Sequence, residues 1–211
     1  MQNEQALQQQ FMHDYWSYYL EIERDVQNTF RYVELDKKNF SVYSREYKNL
    51  LDSIGSEADV VGKSVAELHF PDDAKLKKAP IAHWGYAVQQ AAPHIIDASI
   101  SLDGGIRIVP WKNWRDEQAV NEVGNITYRL QKGAENPEWW RAYNKTKHRR
   151  KSLVHPDDSS YERANLKNVL AALGGLYLLE LLLGAKAGVS VMQLAHASAL
   201  YSETHFEDIS L

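Results

Sequence analysis

The chain has 211 residues and a mass of 24.2 kDa, enough at roughly 150 residues per domain for one domain with an insertion and a full hydrophobic core. Apolar residues make up 44% and charged residues 25%, the balance of a globular chain, and the absence of cysteine excludes a disulfide framework, a Cys-ligated metal centre and a thiol nucleophile. The net charge of −4 is unevenly spread: Arg141 to Lys151 holds six Lys/Arg and no acid, and removing those six charges leaves −10 on the rest, a pattern that suits contact with a polyanion or, more simply, a solvated helix end.

Met1 to Gln10 is polar and lacks the basic-then-apolar layout of a secretory leader. Residues 11–36 then read as a helix, with Phe11, Tyr15, Tyr18, Ile22, Val26 and Phe30 at three- and four-residue steps. Ser41 to Glu67 reads as a second helix, capped by Ser41 or Ser44, with Tyr43, Tyr47, Leu50, Leu51, Ile54, Ala58, Val61, Val65 and Leu68 on one face. A link of about three to five residues between them predicts an antiparallel hairpin of helices.

From 69 to 135 the texture changes. Four of the six prolines fall there and no long helical period persists. Ile96 to Leu102 alternates apolar and polar, Asp103-Gly104-Gly105 supplies a turn, and Ile106 to Val109 supplies a second arm, which together predict a β-hairpin. A short helix around Trp84 to Ala92 is expected, with Trp84, Trp111 and Trp114 packing this insertion onto a helical body.

Asn136-Pro137-Glu138 is a helix start, and the helix it opens runs from Pro137 to about His148 with Trp139, Trp140 and Tyr143 as its anchor. Lys151 to Ser160 reads as a polar loop. Asp158 or Ser159 then caps a last major helix from about Ser160 to Ala185. Its centre is apolar nearly all round, so it is either buried on several sides or packed on a partner. Val169 to Leu183 carries Glu180 and is short for a bilayer span, so no membrane association is expected and a cytoplasmic location is. Residues 188–211 carry no clear pattern. The predicted fold is therefore mainly α: one domain over 1–211, an antiparallel helical bundle with a small β-hairpin insertion at about 69–135.

Several chemistries have no motif. There is no GxGxxG, Walker A or HExxH sequence. His69, His83 and His94 show no ligand spacing, so no metal is expected. Asp72-Asp73 and Asp157-Asp158 read as turn and cap residues. One constellation remains, in the Pro137–His148 helix. At 100° per residue, Asn144 lies about 60° and His148 about 20° from Arg141, so the three share one face. A guanidinium, an amide and an imidazole on one rigid face suit phosphate chemistry: the imidazole moves protons near neutral pH and the guanidinium neutralises charge on a phosphoryl transition state. In the plainer alternative, Arg141 pairs with an acid of the second helix such as Glu57, and His148 merely ends its helix.

The run Trp139-Trp140-x-x-Tyr143-Asn144-x-x-Lys147-His148-x-Arg150, followed by an Ala/Leu-rich helix, resembles HEPN-domain proteins over residues 11–68 and 137–184. That family comprises small α-helical bundles, many of them metal-independent ribonucleases of toxin–antitoxin, CRISPR-linked and phage-defence systems. Its signature is Arg, four to six residues, then His, which Arg141 and His148 satisfy with six between. Arg149–His155 and Arg150–His155 have the same kind of spacing but lack the Trp-anchored helical context. The family often places a polar residue directly after the Arg, where this chain has Ala142. The resemblance implies an RNA endonuclease that needs no cofactor and leaves a 2′,3′-cyclic phosphate. Arg141, Asn144 and His148 would be catalytic, and Lys145, Lys147, Arg149 and Arg150 would hold the RNA backbone. It also implies a homodimer with two such motifs at a shared cleft, and an antitoxin or other protein partner. A non-catalytic module binding a protein, a nucleotide or RNA through the same face is the alternative.

Overall fold

The computed structural model describes residues 2–148, 160–201 and 203–205. It is mainly helical, with two small antiparallel sheets. Helix α1 (Gln2–Phe11) passes through a single π-turn, Met12–Trp16, into α2 (Ser17–Thr29), giving one continuous rod. The rod starts earlier than the apolar period indicates because its Gln, Glu, Ala and Leu residues are good helix formers without an apolar stripe. It also ends earlier. Thr29 Oγ1 donates back to the Val26 carbonyl, and Tyr32 N–H bonds the Thr29 carbonyl in a tight closing turn. Phe30, Val33 and Leu35 still pack on the core, but from a non-helical link, so their spacing only resembles a helix face.

That link spans 30–44, far longer than the short connection expected. It is held because Leu166 N–H and Lys167 N–H donate to the carbonyls of Val42 and Phe40, and Tyr43 bridges to Asn165. Helix α3 (Arg45–His69) follows. Ser44 is its cap, accepting the Tyr47 N–H at 3.0 Å. Its buried stripe, Tyr47 to Val65, matches the predicted face except at the ends, where Tyr43 precedes the helix and Leu68 is exposed, and it makes the most extensive helix pair of the fold with α6 (Leu166–Lys186).

Helix α6 begins later than predicted, because Asn165 caps it through the Asn168 N–H; Asp158 and Ser159, the expected caps, lie outside the described residues. Seventeen of its 21 residues are buried. Among the described residues it is the one helix long and apolar enough to cross a membrane, and it serves here as the central rod of the core. Its close neighbours need glycine: a Cβ on Gly174 would come within 2.0 Å of Ile100 Cδ1, and one on Gly175 within 2.9 Å of the Trp139 ring. The apolarity of α6 is thus satisfied inside one chain.

Between α3 and α5 (Glu138–His148) lies the predicted insertion, with α4 (Ile81–Ala91) inside it. Strands β1 (Ser99–Leu102) and β2 (Ile106–Ile108) form the expected hairpin, Ile100 opposite Ile108, turning through Gly104 and Gly105 at positive φ. Strand β5 (Glu203–His205) pairs with the other edge of β1. A second hairpin, β3 (Asp116–Val120) and β4 (Ile126–Leu130), was not expected. Five buried indoles join the insertion to α5: Trp111 stacks on Trp114 at 4.4 Å, and Trp84, Trp139 and Trp140 meet them and each other edge-on at 5.0–5.7 Å. Helix α7 (Val191–Ala197) closes one side. The segment after it is tied to α2 by buried Glu23, whose carboxylate accepts from Tyr19 Oη, Ser198 Oγ and Ala199 N–H.

Candidate functional site

Helix α5 owes its placement to its aromatic side. Trp139 Nε1 donates to the Pro110 carbonyl at 3.0 Å, and Trp140 lies edge-on to Trp84. The Tyr143 ring rests on Gly55 of α3 so closely that a Cβ there would sit 2.5 Å from it. Ala142 and Thr146 are also buried, Thr146 Oγ1 donating to carbonyls one turn back. With that side locked, Arg141 and Lys145 are exposed and Asn144 is half-buried.

Arg141, Asn144 and His148 all belong to this one uninterrupted helix, so their backbone positions keep the shared face that the spacing requires. Arg141 Nη1 forms an ion pair at 2.8 Å with Glu135, just before the helix, both side chains being about half exposed. The alternative partner Glu57 is not the one used; burial raises the carboxyl of Glu57, and its charge acts instead on Glu180 of α6. Asn144 Nδ2 donates to the Trp140 carbonyl at 3.0 Å. His148 is the last residue of α5. Arg149, Arg150 and His155 lie outside the described residues. Of the proposed backbone-holding residues, Lys145 and Lys147 are both exposed, and the Lys147 ammonium donates to Tyr143 Oη one turn back at 3.0 Å and sits over that ring. That hydrogen bond first, then the nearby charges of Tyr143, Asp59 and Asp52, raise its pKa.

A second feature was not legible in the sequence. The end of α3, the start of α4 and the β3–β4 hairpin enclose an open cleft of about 850 Å³ lined by Phe70, Asp72, Asp73, His83, Tyr86 and Tyr128 among others. Asp73 Oδ2 lies 2.8 Å from His83 Nε2, and its Oδ1 accepts the Lys75 N–H. The buried His83 ring stacks on Tyr128 at 4.0 Å. Among the described residues no group of three or more His, Asp or Glu side chains is placed to hold a metal ion. Asp73 and His83 are joined by an irregular turn rather than a helix or strand period, which leaves no spacing to read.

The chain matches no protein-family model, no curated protein and no solved structure.

Proposed function

We propose that this chain is a HEPN-like RNA endonuclease whose working face is the outer side of α5, in a toxin–antitoxin or phage-defence setting. The observation that carries the reading is the division of α5 itself. Trp139, Trp140 and Tyr143 fix it from within, while Arg141, Asn144 and Lys145 remain on its outer side at the start of the basic island. In this reading a ribose 2′-hydroxyl loses its proton to a general base and attacks the adjacent phosphorus. The bond from phosphorus to the 5′-oxygen breaks, and that oxygen takes a proton, leaving a 2′,3′-cyclic phosphate and a 5′-hydroxyl. His148 serves one of the two proton transfers. Arg141 neutralises the phosphoryl charge, Asn144 orients the phosphate, and Lys145, Arg149 and Arg150 hold the backbone. Lys147, engaged by Tyr143, contributes only its long-range field. The Glu135 ion pair is exposed and worth about 0–1 kcal/mol, so a phosphate can take its place. A homodimer would bring two such faces together.

Incubating the full chain with mixed RNA in excess EDTA tests this. Cleavage to 2′,3′-cyclic phosphate ends is expected. No cleavage with or without added metal would overturn the enzyme reading. One observation favours a second reading in that event: Arg141 and Asn144 already have partners within the chain, as befits a face that binds RNA or a protein without chemistry.

A further inference from the structure

We infer that the cleft between α3, α4 and the β3–β4 hairpin is a binding site for a small organic cation. It stands apart from α5: Tyr143 sits at Gly55, and the cleft begins at His69, about 21 Å further along α3 at 1.5 Å per residue. Its size falls in the range of small-molecule sites, roughly 300–1,000 Å³. Its walls are largely aromatic and apolar, with Phe70 37% and Ile126 53% exposed, Tyr86 and Tyr128 half-buried, and His83 stacked on one face of Tyr128. Phe70 and the open parts of Tyr86 and Tyr128, gathered around a concave surface, offer π faces and edges to a guest.

The charges decide which guest. Asp72 and Asp73 line the cleft with one ammonium, Lys75, and two imidazoles, His69 and His83. Both Asp73 oxygens are already engaged, Oδ1 by the Lys75 N–H and Oδ2 by His83, which leaves Asp72 as the carboxylate open to a guest. Asp72 is exposed and has no hydrogen-bond partner among the described residues, so it is free to meet a ligand. Burial first, then the charges of Asp73 and Tyr86, push the Tyr128 hydroxyl pKa up, so it stays a neutral donor in the wall. Aromatic faces with a carboxylate beside them recognise a guanidinium, amidinium or alkylammonium, by cation–π attraction of roughly 0.5–2 kcal/mol per favourable ring contact and by ion pairing.

Three probes of one shape and different charge test the inference: benzamidine, benzamide and benzoate, titrated into the full chain at pH 7.5 and followed by calorimetry and by the ring resonances of Tyr86 and Tyr128. Saturable benzamidine binding, at least tenfold tighter than benzamide, is expected, with none for benzoate. Asp72→Asn should weaken benzamidine severalfold and leave benzamide unchanged. Tyr128→Leu and the more exposed Phe70→Ser should weaken both. The inference is overturned if benzamidine does not saturate, if benzoate binds as well, if the three bind alike, or if none of the variants changes binding.

Discussion

Glu180 is the residue with the largest local conflict. It is fully buried in the second half of α6, and neither carboxylate oxygen has a hydrogen-bond partner among the described residues. Burial first, and then the charge of Glu57, hold its pKa well above the ordinary 4.5. A raised carboxyl pKa sets the sign of the pH dependence. Below about 4.5 the group is protonated in both folded and unfolded chains and costs no ionisation difference. As pH rises past that value the unfolded chain ionises while the native one does not, and stability falls until the native pKa is reached. Glu180→Gln removes this loss. Thermal unfolding of the two proteins should therefore differ little near pH 4, with the variant gaining steadily toward pH 8. A difference that does not grow with pH would show that Glu180 is ionised and compensated in the native state.

Among elements, α5 and its seat on α3 matter most. Gly55 and Gly62 lie seven residues apart on one face of α3 and receive the flat rings of Tyr143 and Trp84. Gly→Ala in an exposed helix stabilises by about 1 kcal/mol. At Gly55 the new methyl would meet the Tyr143 ring, which cannot bend away, and overpacking of this kind costs roughly 1–3 kcal/mol. Gly55→Ala should therefore lower the denaturant midpoint and displace α5, whereas an unchanged or raised midpoint would show that the seat is loose. Helices α2, α3 and α5 and the β1–β2 hairpin were legible because each buries one face and so repeats at its own period, and α6 because it is apolar nearly all round; α1 and α7 carry no such pattern and were not. The β3–β4 hairpin was not expected: β4, Ile126 to Leu130, does alternate apolar and polar, but its partner β3 opens on Asp116-Glu117-Gln118, and the pair leaves Val120 and Ile126 exposed. A further local signal is the turn, where Asn121 Oδ1 accepts from Val123 and Asn125 and Gly124 takes positive φ. Arg141 and Asn144 could be grouped from helical register alone. Glu135 could not, since it reaches Arg141 from the loop before the helix.

At the scale of the whole molecule, burial of α6 within one chain removes its apolarity as a reason for a second copy, so a homodimer rests on the resemblance alone. The charge asymmetry has a consequence of its own. An acidic body carrying a basic island should bind RNA only through that island, with affinity falling steeply in salt as counterions are released. Replacing Lys145, Arg149 and Arg150 with Ser should reduce the slope of log affinity against log salt by about 0.7 for each single-strand phosphate that is no longer neutralised. An unchanged slope would move the polyanion site away from α5.

The most direct measurement compares RNA cleavage rates in EDTA for the native chain, His148→Ala and His155→Ala, with circular dichroism confirming that each variant is folded. If the outer face of α5 carries the chemistry, His148→Ala abolishes cleavage and His155→Ala cleaves like the native chain. Loss of activity in His155→Ala with full activity in His148→Ala would contradict it and place the chemistry on the segment after α5.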